Sequence, residues 1–306
     1  MTLDDAIQVA CADVGIIPPK NPIAGRWAKA DTLSGKNGRG DGRLMIDDAR
    51  VTAHNWQTGI SKTVWLDDAI EPKERSRISR QVARERDSQQ GNAKRAAMVS
   101  EKLIAAAELS THPYLASKGF QAERAMVVRT AAIQHIAAGL VSIPDGSERV
   151  LLVPARKAGK VVSCQLIFED ASKRFLFGGT TGGAYHRVAR GNDHWLCEGF
   201  ATGLTLRAAL KGLKRSDTVL CCFSASNVLA VSRSIKGRCF IVTDNDKPIE
   251  HFDGLGTGEH YARQSGKPYV MPPQLGDDLN DMHMKVGIFA VQKLLATFIR
   301  KGGASS

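Results

Sequence analysis

Three carboxylates follow two short apolar runs of this chain, at the points where a predicted strand gives way to a loop. Glu198 ends the first run, and Asp244 and Asp246 end the second. Ligands of an open α/β sheet bind at the carboxyl ends of its strands, and residues i and i+2 of an extended segment lie on the same side. Oxygen ligands of this kind suit Mg²⁺ or Mn²⁺, which take the rest of their shell from water and substrate phosphates. The pattern predicts phosphoryl transfer; strand-end or helix-capping acids are the alternative.

The segments around these acids alternate between apolar β-rich runs and amphipathic helical stretches. Such alternation predicts a mostly parallel sheet covered by helices. The predicted strands are 195–198, 218–223, 238–243 and 268–271, and the predicted helices are 203–212, 226–235 and 257–265. The C-terminal segment Val286–Arg300 has the pattern of a packed amphipathic helix, with a partner-docking helix as the alternative.

Glu198-Gly199 after one strand and Asp244-x-Asp246 after another together resemble the TOPRIM domain shared by bacterial-type primases, topoisomerases and some nucleases. The segment Tyr269–Asp281 is similar to the end of primase TOPRIM domains, where an acidic segment follows a strand and prolines. That resemblance adds Asp278 and Asp281 as further metal ligands. The chain departs from the family at Gly276-Asp277, where Gly-Lys is common.

Upstream segments are similar to the catalytic-core subdomain that precedes TOPRIM in phage and plasmid primases and that topoisomerases and TOPRIM nucleases lack. These segments are Val153–Gln165, Lys173–Gly179 and Ala184–His186, and His112–Gly119 resembles the opening segment of the same primases. The resemblance covers residues 111–285. It implies a phage- or plasmid-type DNA primase without an N-terminal zinc ribbon, and therefore a nucleotidyltransferase.

Two apolar β-rich runs, 151–154 and 161–168, flank the turn-like sequence Lys157–Lys160 and predict a β-hairpin. Four cations lie at or near the ends of these runs and of the segment that follows: Arg156, Lys160, Lys173 and Arg174. Such side chains can hold the phosphates of a template strand or of an incoming nucleoside triphosphate. A solvated basic hairpin face is the alternative.

Residues 22–66 alternate short polar and apolar stretches, with turn signals at Ser34–Gly38 and Gln57–Gly59, as in a small β-rich unit. Trp27, Trp56 and Trp65 fall here among basic residues, namely Arg26, Lys29, Lys36, Arg39, Arg43 and Lys62. Trp27 and Trp56 are candidates for stacking on bases of a template strand. The alternative is that the tryptophans form the core of this unit. The region also resembles the N-terminal part of zinc-less plasmid and phage primases.

The excess of basic residues in the chain favours a negatively charged binding partner. The 306 residues include 42 Lys and Arg against 31 Asp and Glu, a net charge of +11 that favours polyanions. The six cysteines form no C-x-x-C pair and indicate reduced core residues, and the first 150 residues contain only Cys11, which excludes a four-ligand cysteine zinc site there. No run of 18 apolar residues and no basic N-terminal leader occur, so we expect a cytoplasmic protein, in the host cell if phage-encoded, with no membrane partner.

The shifts in composition predict five segments. They are a β-rich unit at 1–66, a basic helical linker at 67–110, a primase-core subdomain at 111–190, a TOPRIM domain at 191–285, and a helix with a tail at 286–306. The overall class is α/β, or α+β for the whole chain. Residues 71–95 carry an excess of cations and predict an exposed helix or linker that could follow a phosphate backbone, with a solvated linker as the alternative.

The predicted activity is synthesis of short primers on single-stranded DNA from nucleoside triphosphates. Asp244 and Asp246 would hold Mg²⁺ or Mn²⁺, and Glu198 would act as a ligand or general base. No P-loop motif occurs, so a separate helicase would unwind the template. Two other classes use the same sequence features. They are a TOPRIM-type nuclease and a non-catalytic DNA-binding or helicase-recruiting accessory protein.

Overall fold

The computed structural model of the protein describes residues 2–33, 39–66 and 72–302, apart from the side chain of His251. The described chain divides into two compact units. The first reaches to Gly91 and includes Ile249–Gly254, and the second comprises Asn92–Pro248 and the chain from Leu255 onward. The predicted turn at Ser34–Gly38, with Lys36, and the end of the predicted tail lie outside the described residues. The five-segment division stays a prediction.

The first unit combines a helix with an antiparallel sheet. Helix α1 (Leu3–Val14) begins at a capping box formed by Thr2 and Asp5. The sheet runs in chain order through β1 (Ala28–Ala30), β2 (Gly42–Asp47), β3 (Arg50–Asn55) and β4 (Ser61–Trp65). The β-rich character is confirmed, whereas α1 was not predicted.

Alternation along these strands gives the sheet two different faces. The inner face carries buried apolar side chains that pack with Ala6, Ile7 and Ala10 of α1 in one core. These side chains are Leu44, Ile46, Val51, Ala53 and Val64. The intervening residues of β2 and β3 are partly or fully exposed, so the other face of the sheet is not part of this core.

A single long helix, α2 (Pro72–Ala105), occupies the segment predicted as an exposed helix or linker and most of the helix predicted after it. Ile78 and Val82 of α2, one turn apart, join the core of the first unit. Ala96, Val99 and Leu103 follow with helical spacing and join a core of the second unit. Most side chains between these two groups are exposed, so residues 72–95 form a helix with a largely solvated surface that is anchored at Ile78 and Val82.

The second unit contains an antiparallel sheet in chain order, formed by β5 (Glu108–Ser110), β6 (Ala125–Arg129), β7 (Arg149–Lys157), β8 (Lys160–Ile167) and β9 (Lys173–Phe175). Helices α3 (Pro113–Ser117) and α4 (Thr130–Ile136) lie between its early strands. The predicted hairpin is confirmed as β7 and β8, joined by Ala158 and Gly159, which both adopt positive φ.

The second sheet of this unit has the order β10-β12-β11-β13-β14. Strands β11 to β14 pair in parallel, and β10 is antiparallel to β12. The elements are β10 (His186–Ala189), β11 (His194–Cys197), α5 (Phe200–Gly212), β12 (Thr218–Cys221), α6 (Ala225–Ser232), β13 (Cys239–Val242), a 3₁₀ turn (Glu250–Phe252), α7 (Thr257–Ser265), β14 (Tyr269–Val270), α8 (Leu279–Val286) and α9 (Ile288–Arg300). The predicted alternation and the C-terminal packed helix are confirmed.

Buried side chains cover both faces of the parallel sheet. On one face Trp195 packs with Phe240 of β13 and with Phe298 of α9. On the other face Leu196 and Ile241 share a core with α6 and α7. Helices on both faces of a mostly parallel sheet make this part a doubly wound α/β structure, as predicted.

The cysteines are all free and buried, which confirms that they are reduced core residues. Within the described ranges, no helix is both long enough and apolar enough to span a membrane.

Candidate active site

The carboxyl ends of β11 and β13 lie side by side in the second unit. The two strands pair in parallel, with Leu196 opposite Ile241. Glu198 and Asp244 follow shortly after these residues and therefore leave the sheet at the same edge. We call Glu198, Asp244, Asp246, Asp278 and Asp281 the acidic cluster, because each of the other four raises the pKa of Asp244 through its charge.

Asp244 is the most strongly perturbed member of the acidic cluster. Burial raises its pKa to about 8, with Glu198 the next largest cause. Its Oδ1 atom is buried and has no hydrogen-bond partner within the part of the chain that the structure describes. A buried carboxylate oxygen without a donor is costly unless a cation or a proton neutralises it.

Glu198 has the second raised pKa of the acidic cluster. Burial is again the main cause, followed by the charge of Asp246, and the pKa rises to about 7. Its backbone carbonyl accepts hydrogen bonds from the Phe223 N–H at 2.8 Å and from the Cys221 thiol at 3.2 Å. Phe223 has a φ of 72°, an uncommon conformation for a bulky residue, directly beside the site. These contacts tie the position of Glu198 to the end of β12.

Asp246 meets the N-terminus of α7, where its Oδ2 accepts a hydrogen bond of 2.8 Å from the Gly258 N–H. Two glycines make this approach possible. A Cβ on Gly256 would lie 2.5 Å from the Asp246 carbonyl oxygen, and a Cβ on Gly258 would lie 2.9 Å from the Asp244 carbonyl oxygen. Sequence reasoning did not single out this pair. The signal was available, since Gly256-Thr-Gly258 brackets the start of a predicted helix.

Asp278 and Asp281 form a capping box at the start of α8. The Asp278 side chain accepts from the Asp281 N–H, and the Asp281 side chain accepts from the Asp278 N–H. Thr202 of α5 also donates to Asp278 Oδ2 at 3.3 Å. Both acids therefore have a local structural task, which competes with the predicted metal-ligand role.

The acidic cluster offers the donor chemistry that divalent ions require but not a completed cage. Among the described residues, no three His, Cys, Asp or Glu side chains are arranged to ligate one ion. The unpaired Oδ1 of Asp244 and the Asp246 carboxylate, whose Oδ2 accepts from Gly258, supply hard oxygen donors at one edge of the sheet. Mg²⁺ commonly takes one or two carboxylates and fills its shell with water and phosphate oxygens, so these residues fit such an ion.

Two neighbouring predicted cations of β9 point to different surroundings. Lys173 lowers the pKa of Glu198 through its charge, and its ammonium lies 5.6 Å from the centre of the Tyr114 ring. Arg174 donates to the Ser142 carbonyl at 2.6 Å and lies over the Phe168 ring. Side chains alternate along a strand, so only Lys173 reaches the acidic cluster. The structure does not bring Arg174 to it.

The other two predicted cations lie around the β7-β8 turn. Arg156 is exposed, and its guanidinium donates to the Gly159 carbonyl at 3.4 Å. Lys160 is exposed at the start of β8. Their side chains are available to a polyanion, but no contact joins either of them to the acidic cluster in the described structure.

Two histidines of this unit, one buried and one half-buried, have structural surroundings. His112 caps α3 by accepting from the Tyr114 N–H, and burial lowers its pKa. His186 contacts the Pro154 carbonyl, and burial lowers its pKa to about 4. Neither is placed to exchange protons at the acidic cluster.

Trp27, Trp56 and Trp65 are exposed at the surface of the first unit, with 49%, 51% and 63% of each residue accessible to solvent. The alternative that they form the core of this unit is therefore wrong. The reason lies in the strand alternation, which assigns the core positions to aliphatic side chains.

No protein-family model matches the chain. Among solved structures, the primase fragment of the bacteriophage T7 primase-helicase protein is 14% identical with a TM-score of 0.38, covering 60% of this chain and 69% of that chain. The DnaG catalytic core is 14% identical with a TM-score of 0.36, covering 69% of this chain and 72% of that chain. A chain from the bacteriophage T7 lagging-strand DNA polymerase interacting with primase domains is 13% identical with a TM-score of 0.36, covering 62% and 90%. At these TM-scores the acidic cluster alone has to support a function.

Proposed function

We propose that the protein is a TOPRIM-type DNA primase that joins nucleotides into short primers on single-stranded DNA. The observation that carries this proposal is the buried, unpaired Oδ1 of Asp244 beside Glu198 and Asp246 at adjoining strand ends. Two or more carboxylates held close together at the carboxyl edge of an α/β sheet suit metal-dependent phosphoryl transfer.

Asp244 and Asp246 are the proposed holders of Mg²⁺ or Mn²⁺. A bound divalent ion would supply charge neutralisation at the reacting phosphate and would acidify the attacking hydroxyl. Asp246 keeps one oxygen on the Gly258 N–H, which fixes the direction of the other. Asp278 and Asp281 hold the start of α8 and assist mainly through their negative charge.

Glu198 is the proposed general base or additional ligand. A carboxyl group that burial raises to a pKa of about 7 can exchange a proton near neutral pH, which an ordinary glutamate does poorly. Lys173, whose charge lowers the pKa of Glu198, is the proposed partner for a phosphate of the incoming nucleotide. Arg156 and Lys160 would extend this positive surface along the β7-β8 turn.

The proposed substrates are nucleoside triphosphates and a single-stranded DNA template. A separate helicase is the proposed source of unwound template, and a phage- or plasmid-encoded protein in the host cytoplasm is the proposed setting. The same acids would serve a nuclease, so the product of the reaction decides between the two activities.

The deciding experiment incubates the purified protein with single-stranded DNA, labelled nucleoside triphosphates and Mg²⁺ or Mn²⁺, and resolves the products on a denaturing gel. New short oligonucleotides that disappear in Asp244→Asn support the proposal. Shortened template that is lost in the same variant would identify a nuclease instead. Template binding without either product would leave the accessory role.

A further inference from the structure

The outer face of the sheet in the first unit differs chemically from its core face. Most of its strand residues are basic or polar, with one methionine, one acid and aromatic side chains at the margins. The members in β2 and β3 are Arg43, Met45, Asp47, Arg50, Thr52 and His54, and those in β4 are Ser61, Thr63 and Trp65. We call this surface, together with Trp27 and Trp56, the aromatic face.

Cross-strand pairing arranges the aromatic face in rows. Arg43 lies opposite His54, and His54 lies opposite Ser61, so one row crosses three neighbouring strands. The Nδ1 atom of His54 lies 2.6 Å from the Ser61 hydroxyl oxygen, and the His54 ring meets the Trp56 ring edge to face at 4.3 Å. The His54 ring in this row therefore contacts both the Ser61 hydroxyl group and the Trp56 indole.

A cavity of about 410 Å³ opens on this row. Its lining combines two exposed indoles with polar side chains, namely Trp27, Arg43, Thr52, His54, Trp56 and Ser61. Small-molecule and nucleotide sites commonly have a volume of about 300–1,000 Å³ and a mainly apolar wall with a few polar groups. The cavity is large enough for a flat, nucleotide-sized group.

Charge on the aromatic face favours an anionic occupant. Arg43 and Arg50 both belong to it. The Arg43 guanidinium donates to the carbonyls of Gly40 and Gly42, and the Arg50 guanidinium lies 5.6 Å from the centre of the Trp65 ring. The carboxylate of Asp47, on the same face, is already paired with Arg86 at 3.0 Å. The remaining balance is positive, which complements a phosphate backbone.

We propose that the aromatic face binds single-stranded nucleic acid, with an unpaired base stacked between Trp27 and Trp56 in this cavity. Exposed aromatic rings beside cations bind single strands because every base has a stacking face and every linkage carries a negative charge. A paired base has both faces occupied by its neighbours, so a duplex is excluded from the cavity. This second site extends the proposed function, on which it rests only for the choice of DNA as the ligand.

The test measures binding of a fluorescein-labelled single-stranded 20-mer to the full chain by anisotropy at one salt concentration. Trp27→Ala and Trp56→Ala should each weaken binding by about tenfold or more, the loss expected for one stacked base. Phe289→Ala in α9 is the control, since Phe289 is an exposed aromatic side chain of the second unit and does not line the cavity. It should change the affinity by less than about twofold, and Trp56→Phe should recover most of the loss.

Several outcomes would overturn the inference. They are unchanged affinity in both Trp27→Ala and Trp56→Ala, an equal loss in Phe289→Ala, or a hairpin duplex bound as tightly as the single strand with the same tryptophan dependence. Circular dichroism confirms that each variant is folded. Asp244→Asn, assayed in parallel, separates the two proposals. Failure of primer synthesis leaves the binding result valid, and failure of the tryptophan dependence leaves the synthesis result valid.

Discussion

Asp244 and Glu198 hold protons to a higher pH than ordinary acids do. Their ordinary pKa values are 3.8 and 4.5, and burial with mutual repulsion raises them to about 8 and about 7. Between the ordinary and the raised pKa values, the folded protein binds more protons at these two groups than the unfolded chain does. The contribution of the two groups to the free energy of unfolding therefore falls as the pH rises through this range.

We predict that the melting temperature of the metal-free protein falls between pH 6 and pH 8.5 and that Mg²⁺ restores it most at the upper end, because an ion bound to the native state stabilises it. Thermal melts with chelator and with Mg²⁺ measure both effects. Asp244→Asn should flatten the pH dependence and lose most of the Mg²⁺ effect. A wild-type melting temperature that does not respond to Mg²⁺ at the upper pH would contradict the assignment.

Lys173 and Arg174 provide a neighbouring pair in which one cation faces the acidic cluster and the other does not. We predict that Lys173→Ala lowers kcat/KM for nucleotide by about tenfold or more, the effect expected for one charged hydrogen bond. Lys173→Arg should keep part of the activity. Steady-state primer synthesis gives the measurement.

Arg174→Ala is the matched control for this prediction. It removes the hydrogen bond to the Ser142 carbonyl and the packing on Phe168, so we expect a lower melting temperature with little change in kcat/KM for the remaining folded protein. A fall in kcat/KM in Arg174→Ala as large as that in Lys173→Ala would contradict the assignment of Lys173 alone to the acidic cluster.

The sequence alone did not distinguish Lys173 from Arg174, because it does not fix the register of the strand that carries them. Both cations stand at one end of an apolar run, and a shift of one residue exchanges the faces to which they point. The same limit applied to Trp27 and Trp56, which lie just outside β1 and β3 and whose exposure does not follow from their residue type. The positions of Glu198, Asp244 and Asp246 were more predictable, because any parallel arrangement of β11 and β13 brings their carboxyl ends together.

At the scale of elements, the start of α7 lies within hydrogen-bond distance of Asp246 in the acidic cluster. We predict that Gly256→Ala and Gly258→Ala each reduce primer synthesis strongly, since an added Cβ would collide with the backbone around Asp244 and Asp246. Gly182→Ala is the control, because a Cβ there meets open space and Gly182 does not need a positive φ. The gel assay and thermal melts compare the three variants.

Activity in Gly258→Ala equal to that of Gly182→Ala would mean that α7 can move away without cost, and the helix would then have no part in holding Asp246. A large fall in the melting temperature of Gly258→Ala without a fall in activity would point to the same conclusion.

Elements with strong local signals were predictable, and those that depend on distant contacts were not. The alternation of β11 to β14 with α5, α6 and α7 follows from hydrophobic periodicity. The capping box of Asp278 and Asp281 has an Asp-x-x-Asp spacing that serves a helix start as well as a metal site, so the sequence could not separate the two tasks. The sequence did not predict α2 as one continuous helix. Its buried side chains belong to two different cores, and these distant contacts have no local signal.

At the scale of the whole molecule, the acidic cluster and the aromatic face belong to different compact units. Changes at one are therefore expected to leave the folding of the other intact. The unit boundary falls within α2 at Gly91, a position that charge and periodicity along a continuous helix do not mark. Composition shifts predicted a helical linker here, but they could not place the boundary between the units within the helix.

The buried cysteines give the two units separate chemical reporters. Cys11 lies in the core of the first unit, and the other five lie in the second. Burial raises the pKa of Cys11 and of Cys239 to about 11, so both thiols stay protonated and protected from alkylating reagents in the native state. Mass spectrometry of alkylated peptides at increasing denaturant would therefore resolve the opening of each unit without any introduced label. Labelling of Cys11 before Cys239, or the reverse, would give the order in which the first and the second unit unfold.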